Sequence, residues 1–580
     1  MVKTGVAFPD YISTEKFKRR GNNFGKNYSI RSYLMPLILI AAITLIFARL
    51  FFLQVIKGSN YRNLSDANRT KTIEIHAPRG IIFDRDGTPL VFNVPGFRQT
   101  LNDKTKLIGK NEALKLISQG KSNLEIDSLR NYPYKDAFSH VLGYIGQISK
   151  EELSQKELAN YKGGDLIGKI GIEREYENKL RGINGKELVE IDNVGKIIRK
   201  LGQTDPLPGQ NITLTLDIGL QKAAFNAAKD IKKGAVIVSN PQGEILALLS
   251  KPSFDSNLFT MGEGYSMLEE SEYKDISQIL LDSENQPLLN RAIGGTYPPG
   301  STFKLITAAA GLENKVIDEN FVVEDTGILR IGDFSFGNWY FTHYGKLDGE
   351  VNVVKAIKRS NDIFFYKLAA LVRVDNLSKF AQKFGLGSKL GIDLTGEEKG
   401  VVPTEEWKKD KIGENWYLGD TYHYGIGQGY LLTTPLQVNI WTQAIANGGN
   451  IYKPHLLKNE KLILRRAQDK SEKFLSEGTV DLIRQGMIES CSTGGVAWPL
   501  FDFKYQKSNI KNSGEKIEIA CKTGTAEHGG KESLPHAWIT LFAPAYDPQI
   551  VVTVLSEESG EGSNIAAPIA KKILEEWFGR

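Results

Sequence analysis

The sequence predicts an α/β domain of the α+β kind, preceded by a turn-rich segment and one membrane span. Three observations predict it. An uncharged apolar run lies near the N-terminus, two strand-like segments follow residue 230, and three more strand-like segments lie near the C-terminus with helical material between. Two strands early and three late make one sheet sewn together from both ends of its segment, with helices covering its faces.

The first element is the span. Ser32 to Ala48 carries no charge, and the apolar run resumes at Leu50–Leu53, reaching the roughly 20 residues a membrane crossing needs. Arg49 sits near the far end, where a long side chain snorkels to the headgroups. Pro36 falls in the first turn, where a helix tolerates it. The preceding tail holds Lys3, Lys16, Lys18, Arg19, Arg20, Lys26 and Arg31 against Asp10 and Glu15, so the positive-inside rule puts it in the cytoplasm and the rest outside. No small-residue cleavage site closes the run, so it reads as an uncleaved anchor rather than a signal peptide.

From Lys57 to about Pro208 the chain is mixed and turn-rich. Arg79–Gly87 reads as a strand entering an Asp-Gly turn, with Thr88 to Asn93 returning. Gly168–Gly185 reads as a short helix between glycines. Asp205-Pro-Leu-Pro-Gly209 marks a boundary. Beyond it, Leu220–Ile231 suits an amphipathic helix, and Ala235–Ser239 with Glu244–Ser250 make a hairpin about a Pro-Gln-Gly turn. Lys516–Thr525, His536–Ala543 and Gln549–Ser556 are the late strands, and Ile565–Phe578 is a closing helix. The expected divisions are 1–32 (tail), 33–56 (anchor), 57–208 and 209–580.

Composition bounds the function. A chain of 580 residues that is 41% apolar and 24% charged buries a core in two or three domains. A net charge of +5 is slight for this length and argues against a nucleic-acid partner. Cys491 and Cys521 make neither a disulfide framework nor a zinc site by themselves, and whether they pair stays open.

Chemistry enters at Tyr297-Pro-Pro-Gly-Ser-Thr-Phe-Lys304. Ser301 opens an apolar helix after Gly300, and Lys304, three residues on, shares its face. A neutral lysine amine there takes the serine proton and makes a nucleophile, and the helix N-terminus favours the developing charge. The pattern alone is weak: Ser13/Lys16, Ser118/Lys121, Ser508/Lys511 and Ser513/Lys516 repeat it. Only Ser301 follows Pro-Pro-Gly and opens an apolar helix beyond the span. Ser360-Asn361-Asp362 lies 59 residues on, with polar groups suited to relaying protons and holding substrate amides. Lys522-Thr523-Gly524-Thr525 follows 162 residues later on a predicted strand. There Thr523 offers a hydroxyl to a substrate carboxylate, Gly524 admits a substrate backbone, and the amides of Thr525 and Ser301 make an oxyanion hole. A second Lys-Thr-Gly, at Lys3–Gly5, follows no strand and shows what chance supplies.

This trio in this order is the known signature of penicillin-binding proteins and class A β-lactamases. The chain resembles the class B penicillin-binding proteins, and within them the elongation-type branch. The resemblance runs through Arg49–Gln54, Arg79–Asp84, His140–Tyr144, Gly171–Glu173 with Leu180–Gly182, Gly425–Gly429 with Thr434-Pro435, His536–Trp538 and Ala566–Pro568. Pro298-Pro299, Asp362 and His536-Ala-Trp538 lean toward elongation over division. The resemblance implies a penicillin-binding transpeptidase fold, with a mainly antiparallel five-stranded sheet behind an extended, β-rich, non-catalytic pedestal. It implies peptidoglycan stem peptides ending in D-Ala-D-Ala as donor, covalent trapping by β-lactams and no cofactor. The implied partners are the cytoplasmic membrane, a glycosyltransferase of the shape, elongation, division and sporulation class, and other elongation-complex proteins. Ser301, Lys304, Ser360, Asp362 and Lys522 would then carry catalysis. Ser301, Asn361, Thr523, Gly524 and Thr525 would bind substrate or the oxyanion.

Two departures stand out. Cys521 occupies a position expected to be small, facing away from Lys522 on the strand. Some relatives look to carry a metal near the second motif with a Cys inside it; here that position is Asn361, the nearby Asp333 and His343 read as loop residues, and no metal is expected. His423 and His528 read as surface residues, Trp339, Trp416 and Trp441 as core, and Lys458–Lys473 as a solvated excursion. The competing readings are a β-lactamase, against which the anchor and pedestal argue, and a penicillin sensor, for which the tail is short. A bifunctional enzyme would need a glycosyltransferase motif that the sequence does not display.

Overall fold

The computed structural model describes residues 30–101, 104–119, 124–155, 158, 160–192, 196–262, 265, 267, 271–458, 473–506, 514–529 and 533–579. The basic tail, Lys3–Gly5, the Ser13/Lys16 and Ser508/Lys511 pairs, Lys121, Ser513 and nearly all of Lys458–Lys473 lie outside the described residues. The chain divides into two compact units, one running through Ile73 and taking in Lys186–Thr204, the other comprising Glu74–Gly185 and Asp205–Arg580.

In the first unit, α1 (Ile30–Phe51) continues through a π-turn, Phe52–Ile56. Tyr33–Ile56 is 24 residues long and apolar enough to cross a membrane. Its side chains, among them Leu37, Leu45 and Phe47, are exposed, as a lipid-facing helix requires. The same unit holds the hairpin of β6 and β7, whose ranges are given with the strands below, and Glu190 pairs with Arg69 (2.7 Å) and Arg199 (2.6 Å).

Seven strands that precede the late sheet frame this part of the chain. They are β1 (Thr70–Ile75), β2 (Ile82–Phe83), β3 (Pro89–Leu101), β4 (Lys104–Gly109), β5 (Glu125–Asn131), and the hairpin β6 (Gly185–Ile191) with β7 (Ile197–Thr204). β2 and β3 form the expected hairpin about the Asp-Gly turn, and the return strand runs on past Asn93 to Leu101. Gly168–Gly185 departs from one short helix: Leu166–Ile170 is a strand, followed by two single-turn helices, Gly171–Glu175 and Glu177–Leu180. These helices present Glu173 and Glu177 to Arg79, in the segment before β2, and Glu173 to Arg130 on β5. Arg79 binds Glu173 (2.7 Å) and Glu177 (2.8 Å), and fully buried Arg130 binds Glu173 (2.7 Å). Burial opposes a charge on Glu173, but Arg130 and Arg79 outweigh it and hold the carboxyl below the usual range. Motifs 94 residues apart thus close on one buried ion network.

The late sheet is built as its pattern dictates. Its order is β9 (Ile245–Lys251), β8 (Gly234–Ser239), β12 (Ile550–Ser556), β11 (His536–Ala543), β10 (Ala520–Ala526), with every neighbouring pair antiparallel. β11 and β12 are buried at every position, so they read as mainly apolar runs rather than as alternation. One face (Ile539, Leu541, Val552, Val554, Cys521) packs on α2 (Ile218–Ala227) and α8 (Ala566–Phe578). The other (Trp538, Phe542, Val551, Leu555) packs on the central helices α3 (Lys304–Glu313), α5 (Asp362–Val372) and α6 (Pro435–Ala446). Thr540, Thr553, Thr442, Asn439 and Ser239 form a buried hydroxyl–amide ladder between α6 and the sheet. β10 starts at Ala520 rather than Lys516, because Gly514–Lys516 pairs instead with Lys504–Gln506. Cys491, at the end of α7 (Glu477–Ser490), is bonded to Cys521, with Cα atoms 5.9 Å apart.

Candidate active site

Ser301 lies on a 3₁₀ turn, Gly300–Phe303, that runs directly into α3. The helix proper begins at Lys304, so Ser301 sits one tight turn before it. Gly300 has φ +53°, and a Cβ there would meet the Thr525 carbonyl at 3.0 Å. Its N–H donates to the Gly427 carbonyl (2.9 Å), which gives the Gly425–Gly429 motif its place behind the serine. Glycine is therefore required for the turn to seat Ser301 between that loop and β10.

Lys304 is fully buried. Its Nζ donates to Asp362 Oδ1 (2.6 Å), the Ser360 carbonyl (2.8 Å) and Ser360 Oγ (3.3 Å). Ser360 closes the preceding helix in the left-handed region, φ +55°, a conformation that costs a non-glycine residue energy and marks an over-determined site. From the opposite side Lys522 Nζ, also fully buried, donates to Ser360 Oγ (2.9 Å) and the Thr523 carbonyl (2.9 Å). One hydroxyl thus bridges two amines delivered from α3 and β10. With both lone pairs engaged, its own proton remains available to donate.

The charges do not balance. Two buried amines share one carboxylate. Burial lowers the Lys304 ammonium, and Asp362 partly restores it. Burial and the repulsion of Lys304 push Lys522 well below the ordinary lysine value, against a weaker pull from Asp362. Among the described residues Lys522 has no ion pair of its own, so it is the amine that gives up its proton first.

The remaining sequence candidates divide. Thr523 is nearly buried and Thr525 exposed on β10. This strand ends the sheet, leaving its outer edge open to an extended chain. A Cβ at Gly524 would meet the Pro299 carbonyl (3.0 Å), Trp538 Cβ (3.0 Å) and Thr302 Cγ2 (3.1 Å), so it is the serine turn that approaches this glycine. Asn361 is not brought into the cluster. It is fully buried, its Oδ1 caps α5 at Phe364 N (2.9 Å), and its Nδ2 donates to Asp325 and Asp348 (both 3.1 Å). Three of the four hydrogen-bonding positions of its amide are thus taken up by the cap and by two carboxylates. Cys521 does face away from Lys522, into the core under α8.

Sequence reasoning missed the wall behind Asp362. Trp339, read as core, is only half buried. Its backbone N–H donates to Asp362 Oδ2 (2.9 Å), and its indole to the Arg359 carbonyl (2.9 Å). Asn338 Oδ1 accepts the Asp362 N–H (3.2 Å). Trp441 is core as read, fully buried, and Trp416 packs partly buried against the same core. Asp333, His343, His423 and His528 are exposed.

Residues 234–575 match the penicillin binding protein transpeptidase domain, and residues 120–214 the penicillin-binding protein dimerisation domain. The chain is 33% identical to the peptidoglycan D,D-transpeptidase MrdA of Acinetobacter baumannii, over 93% of this chain and 86% of that one. It is 32% identical to MrdA of Escherichia coli, over 94% of each. Among solved structures it is similar to Helicobacter pylori PBP2 in complex with MreC (TM-score 0.71, 28% identity, 88% of this chain and 98% of that chain). It is also similar to Pseudomonas aeruginosa PBP2 in complex with WCK 5153 (TM-score 0.67, 32% identity, 87% and 96%). A Ser301–Lys304 turn locked to Ser360, Asp362 and Lys522, on an antiparallel sheet whose whole length the family model covers, places this chain in the penicillin-binding protein transpeptidase family.

Proposed function

We propose that this protein is an elongation-type peptidoglycan D,D-transpeptidase, a serine acyltransferase acting through Ser301. The observation that carries the reading is the Ser360 hydroxyl held between the amines of Lys304 and Lys522, 3.3 and 2.9 Å away. Ser301 Oγ attacks the carbonyl of the penultimate D-Ala of a donor stem peptide, and its proton passes to Lys304 Nζ. Backbone amides of Ser301 and Thr525 receive the oxyanion. The C–N bond breaks, D-Ala leaves with a proton relayed through Ser360, and an ester remains on Ser301. The amine of a neighbouring stem peptide then attacks the ester, forming the cross-link and restoring the serine.

The unbalanced amines give the first step a trigger. A donor ends in a carboxylate, which Lys522 and Thr523 are placed to bind. That anion stabilises the ammonium of Lys522, and a charge regained there repels the proton on Lys304 across Ser360, freeing Lys304 to act as base. Among the described residues the carboxylate in contact with these amines, Asp362, is committed to Lys304 and to Trp339 N, which does not suit it to serve as a water base. The acyl-enzyme therefore waits for an amine, and β-lactams trap it.

The basic tail supports a cytoplasmic N-terminus and an extracytoplasmic body on one span, with 57–208 as the pedestal and 209–580 as the transpeptidase domain. The Helicobacter pylori complex supports an elongation-complex partner of the MreC kind, and the family resemblance supports a glycosyltransferase partner. The test is labelled-penicillin acylation with mass mapping: the adduct should sit on Ser301, and Ser301→Ala should remove it. Labelling elsewhere refutes the assignment.

A further inference from the structure

Asp325 lies between the strands Val323–Glu324 and Ile328–Ile331 and is 1% exposed. Among the described residues it forms no ion pair. Four N–H groups serve it instead. Oδ1 accepts from Gly327 N (2.9 Å); Oδ2 accepts from Asn338 Nδ2 (2.9 Å), Asp348 N (2.9 Å) and Asn361 Nδ2 (3.1 Å). A buried carboxylate without a cation is costly to keep unless hydrogen bonds serve its oxygens, and here four N–H groups do.

What these donors do next is the point. Asn338, held by Nδ2, uses Oδ1 to accept the Asp362 N–H (3.2 Å). The following residue, Trp339, gives its N–H to Asp362 Oδ2 (2.9 Å), leaving Oδ1 for Lys304 (2.6 Å). Asn361, held by Nδ2, caps the helix that Asp362 opens. Asp348 accepts from Asn361 and is anchored by Arg359 (3.0 Å). Two segments, Asn338–Trp339 and Asn361, which fix Asp362 from its backbone, its far oxygen and its helix, are therefore tied to one oxygen of Asp325.

We infer that Asp325 is a positioning residue for acylation, acting through Asn338, Trp339 and Asn361 to aim the Asp362 carboxylate at Lys304. The inference rests on the function proposed above, and the experiment separates the two. Full-length protein in detergent is acylated by a fluorescent penicillin across a pH series, with melting temperature measured in parallel. The variants are Asp325→Asn, Asn338→Ala, Ser301→Ala and Asn439→Ala, the last disrupting the buried ladder under α6, which shares no member with this network.

In Asp325→Asn one acceptor oxygen becomes an N–H₂ that faces at least one donor in either orientation of the amide, and the charge that held the others is gone, so the cradle loosens. Misplacing a reacting partner by about 1 Å costs on the order of a hundredfold, so acylation per folded molecule should fall roughly tenfold to a hundredfold. The charged groups facing the Lys304 amine are Asp362 from α5 and Lys522 from β10. Loosening the first leaves the repulsion of the second, so the acid limb of the rate profile should move to lower pH. Asn338→Ala cuts one link directly and should move the limb the same way, which keeps the test decisive if Asp325→Asn does not fold. Asn439→Ala should lower the melting temperature and leave the limb in place. An unmoved limb in both Asp325→Asn and Asn338→Ala, with rates that only track the folded fraction, overturns the inference. Persistent labelling of Ser301→Ala overturns instead the function on which it rests.

Discussion

Removing Lys522's amine while keeping its bulk, Lys522→Met, tests whether a substrate carboxylate triggers Lys304. The amine is fully buried, has no ion pair among the described residues, and touches only Ser360 Oγ and the Thr523 carbonyl, both at 2.9 Å. A ligand carboxylate would be its first counter-charge. A hydrogen bond to a charged group contributes about 1.5–3 kcal/mol, and at about 1.4 kcal/mol per factor of ten that is roughly tenfold to a hundredfold in rate. The assay compares acylation by a β-lactam with acylation by its methyl ester, in both proteins. In the native protein the acid should outpace the ester by about that factor; in Lys522→Met both should be slow and nearly equal, because the ester has already lost what the mutation removes. The advantage of the acid should shrink at low pH, where Lys522 already carries its charge and regains none when the carboxylate binds. Equal rates for acid and ester in the native protein, or a Lys522→Met penalty that falls equally on both, would refute the trigger.

The acyl-enzyme should persist far longer than it takes to form, and with a stem-peptide donor and an acceptor amine it should yield cross-linked dimer and D-Ala; fast repeated β-lactam turnover, followed spectroscopically, would instead indicate a hydrolase. Glu173→Gln leaves Arg130 buried without its anion and should cost about 3–5 kcal/mol of stability in denaturant unfolding. Because Glu173 is held below its ordinary value, its contribution is fully present above about pH 4.3 and is lost as the pH falls through the folded value, so native protein and variant should converge in stability toward low pH. Reducing the Cys491–Cys521 bond, which closes a loop of 30 residues, should cost about 3–4 kcal/mol by the loop-entropy argument, read as a drop in melting temperature that Cys491→Ser reproduces. Protease added to intact spheroplasts should digest the body of the chain, and full protection would reverse the proposed orientation.

The sheet was legible because its strands announce themselves individually. β11 and β12 are seven or eight residues long, apolar except at His536, Thr540, Thr553 and Ser556, and β8 and β9 flank a Pro-Gln-Gly turn. Where the sequence misled, a competing pairing was at work. Residues 514–516 have strand character but find their partner in Lys504–Gln506, which shortens the motif strand to Ala520–Ala526. Gly168–Gly185 looks like one helix because charged and apolar residues alternate with helical spacing. It divides because Gly168 and Gly171 pack against backbone at Glu173 and Gly143, where a Cβ would clash. The cysteine pairing could not be read at all, since only the tertiary fold brings the end of α7 beside β10.

The site shows a sharper division between what local sequence encodes and what only the fold supplies. Ser301 and Lys304 share one turn, and the residues that make that turn possible, Pro299 and Gly300, are their neighbours, so the first motif carries its own context. Ser360 and Lys522 were recognisable only as members of an ordered trio. Asn361 sits inside a motif yet spends its amide on capping and on two carboxylates, while Asp325, Asn338 and Trp339, which belong to no motif, decide where Asp362 points. Membership in a signature therefore identifies the neighbourhood of a reaction, and hydrogen bonds assign the work. The distinction matters for Lys304. Its nearest groups are a carboxylate that favours the charged amine and a buried environment that opposes it, and neither alone makes a base. The balance between them is set by how closely Asp362 is held, through contacts 13 to 36 residues apart in the chain. It is then tipped by what binds Lys522. A base held near that balance is silent without a correctly charged donor and active with one. That arrangement ties acylation to the arrival of substrate.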